Sequence, residues 1–481
     1  MTSDISPRFR GRSATSRRTM VMAAAALAAV MGTTAAATDA AAAPRPDRSS
    51  SSADTTGDWR TRATQPKPYV THLHAETFQL SAKPSQAEEQ RRLKSSFQLS
   101  GAESTGLFLP PNRRVLADVA DTPDSRAGKV KLRIGVPGAE GEGGNQRVLT
   151  LKPGTNRIGD ETGGMLYLTV EGNSSATTSV ELLGGMAKAP RFVLGETSSE
   201  EFRAMLDDAG APWVEYVSKR AIVTVDRATA LKYRDQNPER LMRLYDDIVR
   251  IQDGVNNVGE GRGFAPSPLR QHVVLDGLKK NGTAQAADGY MAFDPAHADV
   301  LLSPDKLSRG GTAWDVWREL SRPRQLKPMS GGGLSEAVGG IYAAQLDRLL
   351  GRFDVGFSVG LWSWHPNTLE KLRETNPSLE SVRGAVMLDQ LTLTYGRNYW
   401  SKVNDLILRG NPKNSRGAQD TLILTTSVIA GEDLRDFFAK SEIFASGSAG
   451  KVLDSLDLRK AKADPSTRGG KKKSSIMPLA E

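Results

Sequence analysis

The sequence predicts an α+β protein of several domains, in which an N-terminal β-sandwich precedes a mixed α/β domain with a helical C-terminal part. Three observations support this class. The chain has 481 residues, a length that favours two or three domains. Short β-prone runs, separated by Gly, Pro and Asn, follow one another from Gly106 to Leu183, as in sandwiches. Beyond Lys188-Ala-Pro190, helical and strand patterns mix.

Residues 1–42 have the three parts of a signal peptide. Arginines from Arg8 to Arg18 form a positive region, a short alanine-rich run follows, and Ala40-Ala41-Ala42 suits a signal peptidase. The segment Ser16-Arg17-Arg18-Thr-Met-Val resembles a twin-arginine signal, with the general export route as the alternative. We therefore expect a secreted or cell-envelope-associated protein.

Composition excludes several classes of function. The chain has no cysteine, which excludes a disulfide framework and thiolate chemistry. No apolar run is long enough to span a bilayer. The net charge is +9, but much of the excess lies in the signal peptide and in the tail from Arg459 to Lys473. Because no basic stripe is interleaved with aromatic residues, nucleic acid is not an expected partner.

The predicted sandwich domain covers residues 85–188, after a linker and N-terminal segment at 43–84. A helix from Ser85 to Phe97 has Ser85 as its N-cap and Glu88 three residues on, the pattern of a capping box. Five strands are predicted in this domain, at 114–119, 129–134, 147–151, 165–170 and 179–183.

The second predicted domain covers residues 189–457, and 458–481 form a basic tail that we expect to be disordered. Pro238 to Gln252 has the apolar spacing of an amphipathic helix. A second helix carries Glu336 and Leu349, and further helical runs cover Met387–Leu393 and Trp400–Leu408.

The most informative segment runs from Trp314 to Gln325 and is followed by Glu336. In a zinc-peptidase helix of the form H-E-x-x-H, two imidazoles four residues apart project from one helix face. Between them a glutamate activates the zinc-bound water, and a third ligand comes from farther along. Here Arg318 and Arg322 hold the two histidine positions, and Glu319 holds the general-base position.

With these pieces placed, the chain resembles the enhancin-type (M-sixty-like) zinc metallopeptidases from about Glu88 to Leu456. Short motifs carry the resemblance, and they occur in the family's order: Ser104-Thr-Gly-Leu-Phe-Leu-Pro-Pro111, Gly163-Gly-Met-Leu-Tyr167, Ala189-Pro-Arg-Phe192, Ala211-Pro-Trp-Val-Glu215, the segment around Glu319, and Gly431-Glu-Asp-Leu-Arg-Asp-Phe-Phe438. The resemblance implies a gluzincin-like peptidase domain that cleaves glycosylated proteins near O-glycans.

The resemblance also assigns positions within the site. Trp317 precedes the motif, Gln325 matches a glutamine after the second histidine, and Glu336 holds the third-ligand position. Arginine stays protonated and has no lone pair for a metal. We therefore expect no zinc and no other cofactor, and we assign Arg318, Arg322, Glu336, Trp317 and Gln325 as candidate binding residues. Pro323 disfavours the α conformation at Arg322, so the helix should end or kink early.

Two interpretations of the arginines stay open. They can be structural, pairing with Glu319 and Glu336 in place of the dication, with Arg318 the better candidate for Glu336. They can also line a cleft that binds an anionic or glycan ligand by bidentate contacts. The five histidines, at 72, 74, 272, 297 and 365, show no ligand pair at helical spacing.

Three hypotheses for the function follow. The first is a non-catalytic secreted relative of zinc glycopeptidases that binds glycoproteins, other glycoconjugates or cell-wall polymers. The second is an active zinc peptidase with displaced ligands. The third is a structural envelope component held by its basic tail.

Overall fold

A computed structural model describes residues 72–139, 146–172, 176–208, 210–275, 284–287, 289–350, 380–410 and 417–468. Within these ranges the protein is a mixed α/β structure. A curled antiparallel sheet forms its N-terminal part, a second sheet covered by helices follows, and helices make up most of the C-terminal part. His365 and the export signal lie outside the described residues.

The N-terminal sheet has eight strands, in the order β5-β4-β7-β2-β8-β3-β6, with β1 paired to β8. All its strand pairs are antiparallel. The strands are β1 (His72–Ser81), β2 (Glu103–Leu109), β3 (Arg113–Val119), β4 (Val130–Ile134), β5 (Arg147–Thr150), β6 (Gly154–Asp160), β7 (Gly164–Val170) and β8 (Thr177–Lys188). All five predicted strands are present, and β1, β2 and β6 were not predicted.

Strand β1 lies in the predicted linker and N-terminal segment at 43–84. It pairs with β8 along its whole length, from His72 opposite Met186 to Ser81 opposite Thr177. The end of the 43–84 segment is therefore part of the sheet, because β8 leaves an edge that β1 covers. Apolar side chains inside the curl, among them Leu107, Leu132 and Leu182, form one buried cluster. The eight strands thus form a curled antiparallel sheet around this cluster.

Two short helices accompany this sheet, α1 (Gln86–Leu93) and α2 (Pro123–Arg126). The capping box predicted for α1 is confirmed. The Ser85 hydroxyl accepts from the Glu88 backbone N–H, and the Glu88 carboxylate accepts from the Ser85 N–H at 2.9 Å. These bonds satisfy backbone N–H groups that a helix start leaves free.

A mixed six-stranded sheet follows, in the order β13-β14-β12-β11-β10-β9. Its strands are β9 (Arg191–Val193), β10 (Trp213–Val217), β11 (Ala221–Asp226), β12 (Gln271–Leu275), β13 (Ala284–Ala287) and β14 (Tyr290–Phe293). The helices of this part are α3 (Ser199–Asp208), α4 (Arg227–Lys232), α5 (Pro238–Val255), α6 (Ala298–Leu301), α7 (Pro304–Leu307) and α8 (Gly310–Leu320). One buried cluster joins the sheet to α5 and α8 through residues such as Val223, Ile248 and Trp317.

The C-terminal part packs around a second apolar cluster that includes Tyr342, Trp400 and Phe438. Its helices are α9 (Ser335–Leu350), α10 (Glu380–Tyr395), α11 (Tyr399–Arg409), α12 (Ala418–Ala430), α13 (Arg435–Ala439) and α14 (Gly447–Ser455). A two-stranded parallel pair, β15 (Glu432–Asp433) and β16 (Arg459–Lys460), lies beside them. None of the helices in the described ranges is both long and apolar enough to cross a membrane.

Helices α9 and α10 approach each other closely through small residues. Gly340 faces Ala385, and Gly384 faces Ala337, so that a Cβ atom at either glycine would collide with the alanine opposite. This close backbone contact fixes the orientation of α9, the helix whose first turn carries Glu336.

The predicted disordered tail begins too early. Residues up to Arg468 fold onto the helices, since β16 pairs with β15 and the Gln390 amide donates to the Ser466 carbonyl at 3.0 Å. A 3₁₀ turn, Pro465–Thr467, is capped by Asp464. The prediction of disorder rested on the many lysine and glycine residues near the C-terminus. Residues 459–468 are nevertheless held by backbone hydrogen bonds to the rest of the fold.

Candidate functional site

The candidate site lies where α8 ends and α9 begins. Helix α8 stops at Leu320, and Arg322 opens a 3₁₀ turn, Arg322–Arg324, with Pro323 at its second position. Proline lacks the N–H that a continuing helix needs and disfavours the α conformation before it. The prediction that this helix ends early because of Pro323 is thus confirmed. Of the two histidine positions in the motif, the first lies on the helix and the second lies beyond it.

Arg322 binds both glutamates of the motif. Its Nε donates to Glu319 Oε2 at 2.6 Å, and its Nη2 donates to Glu319 Oε1 at 3.0 Å. The same Nη2 donates to Glu336 Oε1 at 2.6 Å. The contact with Glu319 is a bidentate guanidinium–carboxylate pair, the strongest form of this interaction.

Arg318 reaches Glu336 from the first ligand position. Its Nη1 lies 2.9 Å from Glu336 Oε2, and its Nη2 lies 3.2 Å from Asp315 Oδ1 and 3.9 Å from Glu319 Oε1. Its Nε is buried without a hydrogen-bond partner among the described residues. Both arginines therefore contact Glu336, for which the sequence made Arg318 the better candidate.

The four charged groups are unequally buried. The exposed fraction of the side chain is 9% for Glu319, 15% for Arg318, 22% for Arg322 and 39% for Glu336. Burial alone lowers the pKa of the Arg322 guanidinium, but hydrogen bonds and charges from Glu319 and Glu336 outweigh it and leave the pKa above its usual value. Arg322 is thus a permanent cation at the centre of the cluster.

A second layer of polar groups orients Arg322. Its Nη1 donates to the Ser335 hydroxyl at 3.0 Å, and that hydroxyl donates to Gln325 Oε1 at 2.9 Å. The Gln325 amide in turn donates to Ser321 Oγ at 3.3 Å. Gln325 is buried and acts on the cluster through Ser335. Ser335 was not predicted as a site residue, although it directly precedes Glu336 in the sequence.

Gly339 provides the space that Arg318 occupies. A Cβ atom at this position would lie 2.6 Å from Arg318 Cγ and 2.9 Å from Gln325 Nε2. Both distances are shorter than a van der Waals contact. The glycine, one helical turn after Glu336, therefore allows the longer arginine side chain to lie against α9.

Trp317 belongs to the core. It is fully buried, and its indole N–H donates to the Leu307 carbonyl at 2.9 Å. A side chain that is out of reach of any ligand cannot be one of the binding residues, so its assignment to the site was wrong. Trp317 points into the buried cluster between the second sheet and α8.

The donor set does not fit zinc. Zinc sites use imidazole, thiolate and carboxylate ligands, and the two guanidinium groups at the family positions have no lone pair to donate. Among the residues that the structure describes, no group of three or more His, Cys, Asp or Glu side chains is arranged to hold a metal ion. His72 and His74 lie on β1, and His272 is buried on β12, so neither strand brings a histidine into the motif.

A neighbouring buried pair, Arg324 with Asp253, also escaped the sequence analysis. Arg324 Nε donates to Asp253 Oδ1 at 2.8 Å, and its Nη1 donates to Gln271 Oε1 at 2.7 Å. This pair ties the turn after α8 to helix α5 and to strand β12. Because Arg324 lies in the same turn as Arg322, the pair also holds that turn in place. Only the tertiary structure brings residues from these three segments together.

The fold has parallels among solved structures, all at identities that establish the fold alone. A functionally unknown conserved protein from Bacillus anthracis superposes with a TM-score of 0.70 at 21% identity, over 82% of this chain and 81% of that chain. The ZmpB metallopeptidase from Clostridium perfringens superposes with a TM-score of 0.64 at 18% identity, over 81% of each chain. A metallopeptidase in complex with Tn antigen has a TM-score of 0.64 at 15% identity, over 81% of this chain and 79% of that chain.

Among curated proteins, TRPM8 channel-associated factor 1 of Bos taurus is 31% identical over 165 residues. The human protein of the same name is also 31% identical over 165 residues. The match covers 34% of this chain and 17% of either relative, so it spans less than a fifth of those proteins.

Two family profiles match most of the described chain. The N-terminal domain of M60-like peptidases matches residues 84–182. The family described as peptidase M60, enhancin and enhancin-like matches residues 185–442, which include the whole arginine–glutamate cluster. With the order of motifs and the shared fold, these matches show that the chain belongs to the M60 family of enhancin and enhancin-like peptidases.

Proposed function

We propose that this protein is a non-catalytic, exported member of the M60 family that binds glycoconjugates or cell-envelope polymers. One observation carries the proposal. The residue at the second histidine position, Arg322, forms a bidentate pair with Glu319 and also binds Glu336. The two carboxylates are therefore neutralised by an arginine of the protein, in the place where a zinc peptidase has a metal ion.

The same contacts oppose general-base catalysis. A general base needs an oxygen with a free lone pair directed at the attacking water. Both Glu319 oxygens accept from Arg322, at 2.6 and 3.0 Å, and because the side chain is only 9% exposed, its remaining lone pairs have little access to water. In a zinc peptidase the metal also lowers the pKa of that water, which guanidinium groups do not do.

Binding of glycoconjugates is supported by the family and by its solved members. Two neighbours of the same fold were solved with a saccharide antigen, one with Tn antigen and one with sialyl T antigen. We propose that the gluzincin-like arrangement of α8 and α9 retains a surface for such ligands after loss of the metal. The exposed part of Glu336 and the arginines beside it would supply polar contacts at that surface.

The decisive experiment measures metal and activity together. Mature protein purified with zinc present should hold far less than one equivalent of zinc by elemental analysis, and it should not cleave an O-glycosylated mucin. An authentic M60 peptidase, treated in parallel, serves as the positive control. Stoichiometric, chelator-sensitive zinc with mucin cleavage would overturn the proposal and favour an active peptidase with displaced ligands.

A binding assay separates this proposal from a purely structural envelope role. Full-length mature protein and a variant that ends at Arg468 are compared on isolated cell wall and on an immobilised mucin. This end point keeps the contact between Gln390 and the Ser466–Arg468 backbone. Wall binding that depends wholly on residues 469–481, with no mucin binding, would favour the structural role.

Export is proposed from the sequence of residues 1–42. The N-terminus of the protein recovered outside the cytoplasm should begin near Ala42, and a chain that still begins at Met1 would contradict this. Replacing Arg17 and Arg18 by lysine should block export only if the twin-arginine route is used. Replacing Arg8 and Arg10 by lysine is the matched control.

A further inference from the structure

We propose a second ligand site, an arginine-lined cavity that binds a small molecule carrying two or more phosphate, sulfate or carboxylate groups. The cavity has a volume of about 390 Å³ and lies between α5, α9 and the start of α11. Five arginines line it: Arg220, Arg250, Arg262, Arg348 and Arg397. Among the described residues of the lining, Glu260 is the only acid.

The cavity is separate from the arginine–glutamate cluster. Helix α9 contributes Gln345 to its wall, nine residues after Glu336. At 3.6 residues per turn, nine residues make about two and a half turns, so the two side chains leave opposite faces of the helix. None of Arg318, Glu319, Arg322 and Glu336 lines the cavity.

Three of the five arginines have carboxylate partners, but one of these partners is shared. Arg250 pairs with Asp247, and Arg348 pairs with the buried Asp389. Arg220 Nη1 lies 3.2 Å from Asp253 Oδ2, while Arg324 takes the other oxygen of Asp253. One carboxylate thus pairs with two guanidinium groups. The positive charge of Arg220 and Arg324 together is therefore only partly neutralised, and Arg220 can still attract an anion.

The other two arginines have no carboxylate partner among the described residues. Arg262 makes one long contact, from Nη1 to the Gly254 carbonyl at 3.5 Å. Arg397 is exposed beside Asn398 at the cavity wall, and no contact of its side chain with another described residue is found. Guanidinium groups that converge on one concavity repel each other, and an anion that enters it relieves that repulsion.

The chemistry of the lining sets the ligand class. Arginine binds phosphate, sulfate and carboxylate oxygens through paired N–H groups, and several arginines around one cavity favour a ligand with more than one anionic group. Asn398 and Ser401 add neutral polar groups that suit hydroxyls, and Ile341, Val258 and Leu349 supply an apolar surface. A cavity of this volume lies in the range that holds small ligands.

The test is calorimetric titration of the full mature protein at fixed ionic strength. Three probes carry the anionic groups in different forms: inorganic pyrophosphate, a sulfated heparin disaccharide and a digalacturonate. Lactose is the neutral control. We expect at least one polyanion to bind at submillimolar concentration and lactose not to bind. The ranking of the three probes then distinguishes free phosphate from an anionic saccharide.

Site variants separate this cavity from general charge attraction. Replacing both Arg262 and Arg397 by glutamine should weaken the best probe by about a hundredfold, because each charge-assisted contact contributes about tenfold or more. The matched control replaces Arg114 and Arg157 by glutamine. Both are exposed arginines of the N-terminal sheet and lack a carboxylate partner among the described residues. This control removes the same charge and should change affinity less than about threefold.

Two outcomes would overturn the proposal: no binding of any of the three polyanions, or equal weakening in the cavity variant and the control. Both variants are expected to unfold in urea at the wild-type midpoint, since all four side chains are exposed. The test is independent of zinc, because the Arg318 and Arg322 pairs are unchanged in every variant.

Discussion

Arg322 and Glu319 form a two-point ion pair across the end of helix α8, with Nε to Oε2 at 2.6 Å and Nη2 to Oε1 at 3.0 Å. In the family these two positions hold a zinc ligand and the general base. Here they are partners, and the residue that would activate water is bound by the residue that would hold the metal. The cluster is therefore held together by its own side chains.

The two arginines should differ in their importance for stability. Arg322→Met leaves Glu319, 9% exposed, with Arg318 Nη2 3.9 Å away as its nearest remaining cation. Loss of one partner of a buried pair costs about 3–5 kcal/mol in the free energy of unfolding. Arg318→Met leaves Glu336, 39% exposed, with Arg322 still bound, and should cost about 1 kcal/mol. Urea denaturation of the two variants measures both values.

A second substitution tests the cause. If the cost of Arg322→Met comes from the unpaired Glu319 charge, then Glu319→Gln in the same chain should restore much of the stability. An Arg322→Met variant that unfolds at the wild-type midpoint would show that the pair contributes nothing to the free energy of unfolding.

Restoring the two histidines should give only weak zinc binding. In the variant Arg318→His with Arg322→His, the second imidazole starts from a 3₁₀ turn, where the helical i, i+4 geometry is lost. Adding Pro323→Ala should strengthen zinc binding, since alanine allows the helix to continue through residue 322. Competition with a chromogenic zinc chelator measures both affinities. Tight, stoichiometric zinc without a change at Pro323 would show that the backbone is already suitable.

Gly339→Ala should disturb the cluster from the opposite helix. The new Cβ atom would lie 2.6 Å from Arg318 Cγ, so either the arginine or helix α9 must move. Overpacking of this kind costs about 1–3 kcal/mol. Gly331→Ala is the matched control, because its Cβ would meet Ala418 at 3.6 Å, an ordinary contact. Equal midpoints in urea for the two variants would refute the role assigned to Gly339.

His272 should make stability depend on pH. Burial, with a smaller contribution from the charge of Arg133, lowers the pKa of the His272 imidazole to about 3, and Thr224 Oγ1 lies 2.8 Å from its Nε2. The unfolded chain binds the proton near pH 6.5 and the folded chain does not, so acidification favours unfolding between pH 6.5 and pH 3. From pH 7 to pH 5 this group alone should cost about 2 kcal/mol.

The matched variant for this test is His272→Gln, which keeps a polar side chain at the same position without a titrating group. The fall in unfolding free energy from pH 7 to pH 5, measured in urea, should be smaller in the variant by about 2 kcal/mol. Parallel pH profiles for the two proteins would mean that His272 titrates in the folded state as it does in the unfolded chain.

Local patterns that depend on a few neighbouring residues were readable from the sequence. The Ser85 capping box, five strands of the first sheet and the helix from Pro238 follow from side-chain periodicity and turn residues, and the structure has all of them. Strands β1, β2 and β6 were missed. In β1 the alternation of apolar and polar residues is weak, and pairing with β8, about 100 residues later, decides its conformation.

The sequence by itself determined the family, the loss of both imidazole ligands and the early end of α8, because motif order, residue chemistry and Pro323 act locally. Pairing of the arginines with Glu319 and Glu336 was expected from the sequence, but only the tertiary structure decided which arginine contacts which glutamate. It placed Glu336 within reach of both arginines, put Gly339 where Arg318 needs room, and buried Trp317 in the core. It also brought together the five arginines of the arginine-lined cavity, which come from separate segments of the chain. Contacts between different helices depend on how those helices pack against each other, and the spacing of residues along the chain does not fix that packing.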